Sequence, residues 1–178
     1  MTNQSAFKNL LKDIFPFKNE YSLFIFGFIV LVCATFISIE NYTGITLKIQ
    51  NELVGSSHKI VWDTLFFLTT FSALYIFFNY MFKGFSKSTI MELRKHRRKI
   101  EKEKKSKRSP VLEATVLIVS YILTFIGFFI VPLSESSKSL WLFQGNIYVD
   151  LIFIFLLYSS FTLFTVVIVI AINTMRDK

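Results

Sequence analysis

The sequence predicts an all-α, polytopic integral membrane protein with four transmembrane helices, an N-terminal interfacial helix and a basic helical cytosolic loop. Three observations predict it. Four long apolar runs, Tyr21 to Ile39, Ile60 to Phe82, Val111 to Leu133 and Val149 to Ile172, take up about half of the 178 residues. These Phe, Ile, Leu and Val runs lack the polar–apolar alternation of a barrel strand. Twelve of the twenty Lys and Arg residues gather between the second and third runs, from Lys83 to Arg108. Each run can cross a bilayer, because a helix rising about 1.5 Å per residue needs about 20 apolar residues to span roughly 30 Å of hydrocarbon. A helix also satisfies its own backbone donors and acceptors, which lipid cannot do. What remains is too short for a separate soluble domain of even about 50 residues, so residues 1–178 read as one membrane domain.

The first element is expected over residues 5–16. Phe7, Leu10, Leu11, Ile14 and Phe15 recur at three- and four-residue intervals, with Lys8, Lys12 and Asp13 on other faces. This pattern predicts an amphipathic helix lying along the inner membrane surface, capped by Ser5 and stopped by Pro16. The first span is expected over 21–39. No small-residue cleavage pattern follows it, since Ser38-Ile39-Glu40 runs on into Asn41-Tyr42-Thr43, so a cleaved signal peptide is not expected. In the next loop, Ile45, Ile49 and Leu53 fall at four-residue spacing and predict a short amphipathic surface helix. Asn41-Tyr42-Thr43 matches the glycosylation acceptor pattern, but that pattern is short and common and is discounted.

The second span is expected over 60–82 and the basic loop over 83–110. Thr89-Ile90-Met91-Glu92 has the spacing of a capping box, which predicts a helix start. From there to Arg108 there is neither Gly nor Pro, and Glu101 with Lys105 and Glu103 with Lys107 have i,i+4 spacing. Pro110 marks the return to the third span, 111–133. The loop before the fourth span, 149–172, carries Trp141, Phe143 and Tyr148, expected at headgroup level.

Orientation follows from the basic residues, which stay on the cytoplasmic side. The N-terminal tail holds Lys8, Lys12 and Lys18, and the C-terminal tail Arg176 and Lys178. With the middle loop these total seventeen, against Lys48, Lys59 and Lys138 in the other two loops. Both termini and the basic loop are therefore expected in the cytosol of a bacterial cell, the spans in its inner membrane.

After Leu93 the loop has only Ile100 as an apolar residue, so no continuous stripe is available for burial. Three readings follow. The charge can act as a topology determinant held at anionic inner-leaflet lipids. It can dock an acidic cytosolic protein through Arg94, Lys95, Arg97, Arg98, Lys99, Lys102, Lys104 and Lys105. It can neutralise nucleic-acid phosphates, although no aromatic residue lies between Leu93 and Arg108 to stack on bases, which disfavours direct nucleic acid binding.

Within the spans there is no Lys, Arg or His, and Asp63, Glu113 and Asp150 lie near span ends. Ion-coupled transport needs ionisable groups at mid-membrane, so that class is disfavoured. Asp63 and Asp150 could together ring an outer vestibule; the competing reading makes them interfacial residues, with Asp150 suited to a helix N-terminus. Ala34 with Ser38, Ser120 with Thr124, and Ser159 and Ser160 are candidate helix-packing and oligomer positions. One cysteine, Cys33, and two histidines, His58 and His96, make no Cys/His metal cluster, and no catalytic or nucleotide fingerprint appears. The expectation is a protein that is not an enzyme and has no cofactor.

In overall plan, the four spans, cytosolic ends and basic helical loop resemble KwaA, the small inner-membrane component of the Kiwa anti-phage defence system, and other four-span defence or immunity proteins. The resemblance covers the chain in outline and rests on no diagnostic residue. It implies a homo-oligomeric membrane sensor of phage attack that recruits a cytosolic DNA-binding partner, with Glu92 to Arg108 as part of the docking surface. The reading that follows is a non-enzymatic sensor or scaffold that oligomerises through its spans and engages a cytosolic protein through the basic loop. Its alternatives are an oligomeric pore that depolarises the membrane and an immunity or accessory subunit of another membrane protein.

Overall fold

A computed structural model describes residues 3–15, 19–50, 52–104, 109–134 and 141–176. Among these the regular structure is helical throughout: α1 Asn3–Ile14, α2 Ser22–Thr35, α3 Ser56–Lys83, α4 Lys87–Lys104, α5 Pro110–Phe129, α6 Trp141–Gln144 and α7 Ile147–Arg176, with one 3₁₀ turn at Leu47–Ile49. The helices α3, α5 and α7 are long and apolar enough to cross a membrane.

The α3–α7 pair is the axis of the bundle, with α2 packed on both of its members and α5 laid chiefly against α7. Aromatic rings fill the joint between α3 and α5: Phe66 meets Phe125 at 5.7 Å and Phe129 at 5.5 Å, and Phe129 meets Phe161 of α7 at 5.7 Å. Contacts at the helix ends fix the chain directions. His58, near the start of α3, meets Asp150, near the start of α7. Tyr80 near the end of α3 donates to Asn173 near the end of α7. One end of the bundle is closed by the loop between α2 and α3 and by α6; the other carries α1 and the basic helix α4.

The first apolar run is not a full-length helix. α2 has 14 residues, about 21 Å, short of the roughly 30 Å of a bilayer core. Residues 36–39 continue it as irregular chain. α2 starts level with the interior of α7, where the Tyr158 hydroxyl donates to the Leu23 carbonyl at 3.0 Å. The tyrosine ring lies against Gly27, where a Cβ would come within 2.1 Å of a ring carbon, so α2 approaches α7 closely only because that position has no side chain.

Below α2 the apolar face of α1 takes over. Leu10, Leu11, Ile14 and Phe15 are buried in a cluster with Leu23, Ile76, Tyr80, Phe85, Val166 and Val169. The expected interfacial helix thus turns its greasy face into the protein, with Phe7 left exposed. It also begins at Asn3, ahead of Ser5; Pro16 lies outside the described residues.

Two further expectations are corrected. The surface helix expected around Ile45, Ile49 and Leu53 is a single 3₁₀ turn, because the backbone N–H groups of Ile45 and Thr46 are drawn to Asp63. α4 starts at Lys87, so Thr89 lies inside its first turn and the Thr89–Glu92 pair is not the cap. Ser86 is: its hydroxyl accepts the Thr89 N–H at 3.3 Å.

Candidate functional site

Two constructions beyond plain packing stand out, one at each end of the bundle. At the basic end, α4 is fastened to α1, and α1 in turn to α3, through polar contacts. The Asp13 carboxylate accepts the Ser86 N–H at 2.9 Å and the Thr89 hydroxyl at 2.6 Å, so a residue of α1 caps α4 from outside the helix. The Asn79 amide of α3 donates to the carbonyls of Asp13 and Ile14, at 3.1 and 2.7 Å, and thereby holds the end of α1. Lys8 pairs with Glu20 at 2.8 Å. That hydrogen bond and the opposite charge hold the Glu20 carboxyl below its ordinary range and the Lys8 ammonium above its own. Ile90 and Leu93 complete the joint by packing against the α1 cluster.

Beyond Leu93 the helix projects its charges. Arg94, Lys95, Arg98 and Lys99 are exposed, and Arg97 is half-buried on the side of Ile90 and Leu93. Lys102 and Lys104 lie in the last turn of α4, while Lys105 and Lys107 lie outside the described residues. The structure therefore places Arg94, Lys95, Arg98 and Lys99 on one helix of 18 residues, about 27 Å long, whose first turns are held to α1.

At the capped end, Asp63 and Asp150 are each only 3 % exposed. Asp63 Oδ2 accepts the Tyr42 hydroxyl and the Ile45 N–H, both at 2.7 Å, and Oδ1 accepts the Thr46 N–H at 2.9 Å. These bonds strap the α2–α3 loop over the bundle. Asp150 accepts from His58 Nε2 at 3.1 Å, tying the starts of α7 and α3 together. Each carboxylate is buried and hydrogen-bonded within the chain. Burial, then the hydrogen bond to Asp63 and its charge, push the Tyr42 phenol up to about 12.

Lys48 completes this end. Its Nζ donates to the Gly127 carbonyl at 3.3 Å and its own carbonyl accepts the Leu133 N–H at 3.3 Å, so the lysine stitches the last turn of α5 to the cap. Burial pushes its ammonium down from the ordinary value. Phe143 is buried against Trp62, with ring centroids 4.7 Å apart, while Trp141 and Tyr148 are exposed.

The packing candidates divide. Ala34 is buried within the bundle, Ser159 is half-buried, and Ser38, Thr124 and Ser160 are exposed. Thr124 and Ser160 turn their hydroxyls back onto the carbonyls of Ser120 and Leu156. Cys33 is exposed on α2. The sequence reading missed Asp13, Asn79, Tyr42, His58 and Lys48. Their partners lie far along the chain, 92 residues away for His58, and no local spacing announces such pairs. A lone Asp on a helix that otherwise carries Lys was the one available hint.

The chain matches no protein-family profile, no protein of described function and no solved structure.

Proposed function

We propose that this chain is a non-enzymatic membrane scaffold or sensor that assembles as a homo-oligomer and presents α4 to an acidic cytosolic protein. The observation that carries the reading is the contrast along α4. Its first turns are pinned by Asp13, Thr89, Ile90 and Leu93, while Arg94, Lys95, Arg98 and Lys99 project from the same helix. A topology signal needs charge but no fixed geometry; a docking surface needs both. Anionic inner-leaflet lipids are a second contact for the same charges. The cytosolic side is assigned from the seventeen-to-three distribution of Lys and Arg, and a role in anti-phage defence from the resemblance in plan.

The oligomer is assigned to α5. Only 6 % of its most apolar stretch is buried, against half of that of α3, and Ser120 and Thr124 lie on that helix. Small residues there let a second copy approach closely.

Replacing Arg94, Lys95, Arg97, Arg98 and Lys99 together by Gln is expected to abolish co-purification of a cytosolic protein with the membrane-extracted chain while leaving membrane insertion intact. Unchanged recovery of every partner would sink the docking reading. Single-channel recording tests the rival pore: a bilayer that stays sealed at all voltages counts against it.

A further inference from the structure

We propose that Lys48 is a binding site for one membrane phospholipid, through the headgroup phosphate, in the leaflet at the capped end of the bundle. The proposal rests on α3, α5 and α7 lying in a bilayer and is independent of any partner of α4.

The starting point is an under-coordinated cation. Lys48 is only 9 % exposed. An ammonium carries three donors, and among the described residues one is used, in a 3.3 Å bond to the neutral carbonyl of Gly127. Burying a charge without an opposite charge is costly, and such a group is ordinarily paired. The two buried carboxylates of this end are engaged elsewhere, Asp63 by Tyr42 and the 45–46 backbone and Asp150 by His58. Among the described residues no carboxylate lies within ion-pair distance of Lys48.

The surroundings say where an anion would come from. The ammonium sits at the C-terminal turn of α5, the helix with the least buried surface in the bundle. Leu123, Ile126, Ile130 and Val131, around Gly127, are all exposed. An apolar wall that ends at a buried lysine matches a phospholipid: acyl chains lie on the wall, and the phosphate, at the level where the helix ends, takes the two N–H donors that have no partner among the described residues. Lysines near helix ends reach the headgroup layer in this way, and basic recesses at that level hold lipid headgroups. The Thr46 hydroxyl, buried without a hydrogen-bond partner on the same short strip of loop, is a further available donor.

The test uses the purified full chain in detergent. Phospholipid bound per chain, read by native mass spectrometry after a delipidating wash, is expected to be retained by the wild type and by Lys48→Arg and lost by Lys48→Met. Added phosphatidylglycerol is expected to raise the melting temperature of the wild type and Lys48→Arg but not of Lys48→Met. Equal retention in all three proteins overturns the proposal. An equal melting shift from a galactolipid, which has no phosphate, or from inorganic phosphate alone, also overturns it, and these two arms need only the wild type should Lys48→Met fail to fold. Glu135 lies outside the described residues, two positions beyond Leu133, whose N–H bonds the Lys48 carbonyl, and Glu135→Gln guards against an internal counter-charge: if it lowers the melting temperature as Lys48→Met does, and neither variant loses lipid, the site is not a lipid site.

Discussion

At the scale of single residues, polar atoms at the capped end and a missing side chain within the bundle set the geometry. Tyr42 and Asp63 form a coupled pair in which the phenol must stay protonated to donate. The phenol is raised from an ordinary value of about 10 to about 12 by burial and by the carboxylate it faces. The unfolded chain gives up this proton first, so the contribution to stability is complete below about pH 10 and disappears as the pH rises through about 12. A tyrosinate absorbance titration of the wild type minus that of Tyr42→Phe is expected to show a midpoint near 12; a midpoint near 10 would mean that the loop is not strapped to Asp63. Gly27 and Gly127 make a matched pair. A Cβ at Gly27 meets the Tyr158 ring at 2.1 Å, whereas one at Gly127 meets nothing within 4 Å. Gly27→Ala is expected to cost about 1–3 kcal/mol by overpacking, and Gly127→Ala to be neutral or slightly stabilising through its better helix propensity. Thermal unfolding in detergent compares them directly, and equal melting temperatures would contradict the close α2–α7 approach.

At the scale of elements, α1 and α4 work as a joint. The apolar stripe of α1 was legible as Phe7, Leu10, Leu11, Ile14 and Phe15, and so was the helical basic segment after span two. What covers the stripe was not. Lipid tails and protein side chains are equally apolar, so periodicity tells that a face is greasy and leaves open what it meets. The cap was misplaced by one turn for a related reason. Thr89 and Glu92 have the spacing of a local cap, but the Asp13 carboxylate arrives from 76 residues away and joins Ser86 in closing the first turn. Asp13→Ala removes an acceptor from two donors and is expected to destabilise this joint by about 1–3 kcal/mol, leaving the rest of the bundle intact. Hydrogen–deuterium exchange checks it: faster exchange is expected in residues 86–93 and unchanged exchange in the centre of α3 and α7. Uniform change along the chain would mean that Asp13 supports the whole bundle rather than the α1–α4 joint.

At the scale of the whole molecule, α5 is the outlier, apolar along its length and hardly buried. If copies of the chain meet through it, cysteine at position 124 in a Cys33→Ser background is expected to give a crosslinked dimer in native membranes. Cysteine at Val166, which is buried inside the protomer, is expected to give none. Absence of the dimer at 124 and at its exposed neighbours 119 and 123 would leave α5 to lipid. The amino-acid sequence by itself determined the helical class, the membrane-like runs and the concentration of charge between the second and third of them, because length, hydropathy and charge are local properties summed over a segment. The tertiary structure alone decided that the first run contributes a helix of 14 residues with α1 packed beneath it. It alone decided that Asp63 and Asp150 are occupied within the chain, and that Lys48 is buried against the end of α5. Each of these depends on groups tens of residues apart meeting in space, and long-range pairing leaves no periodic trace in the chain that makes it.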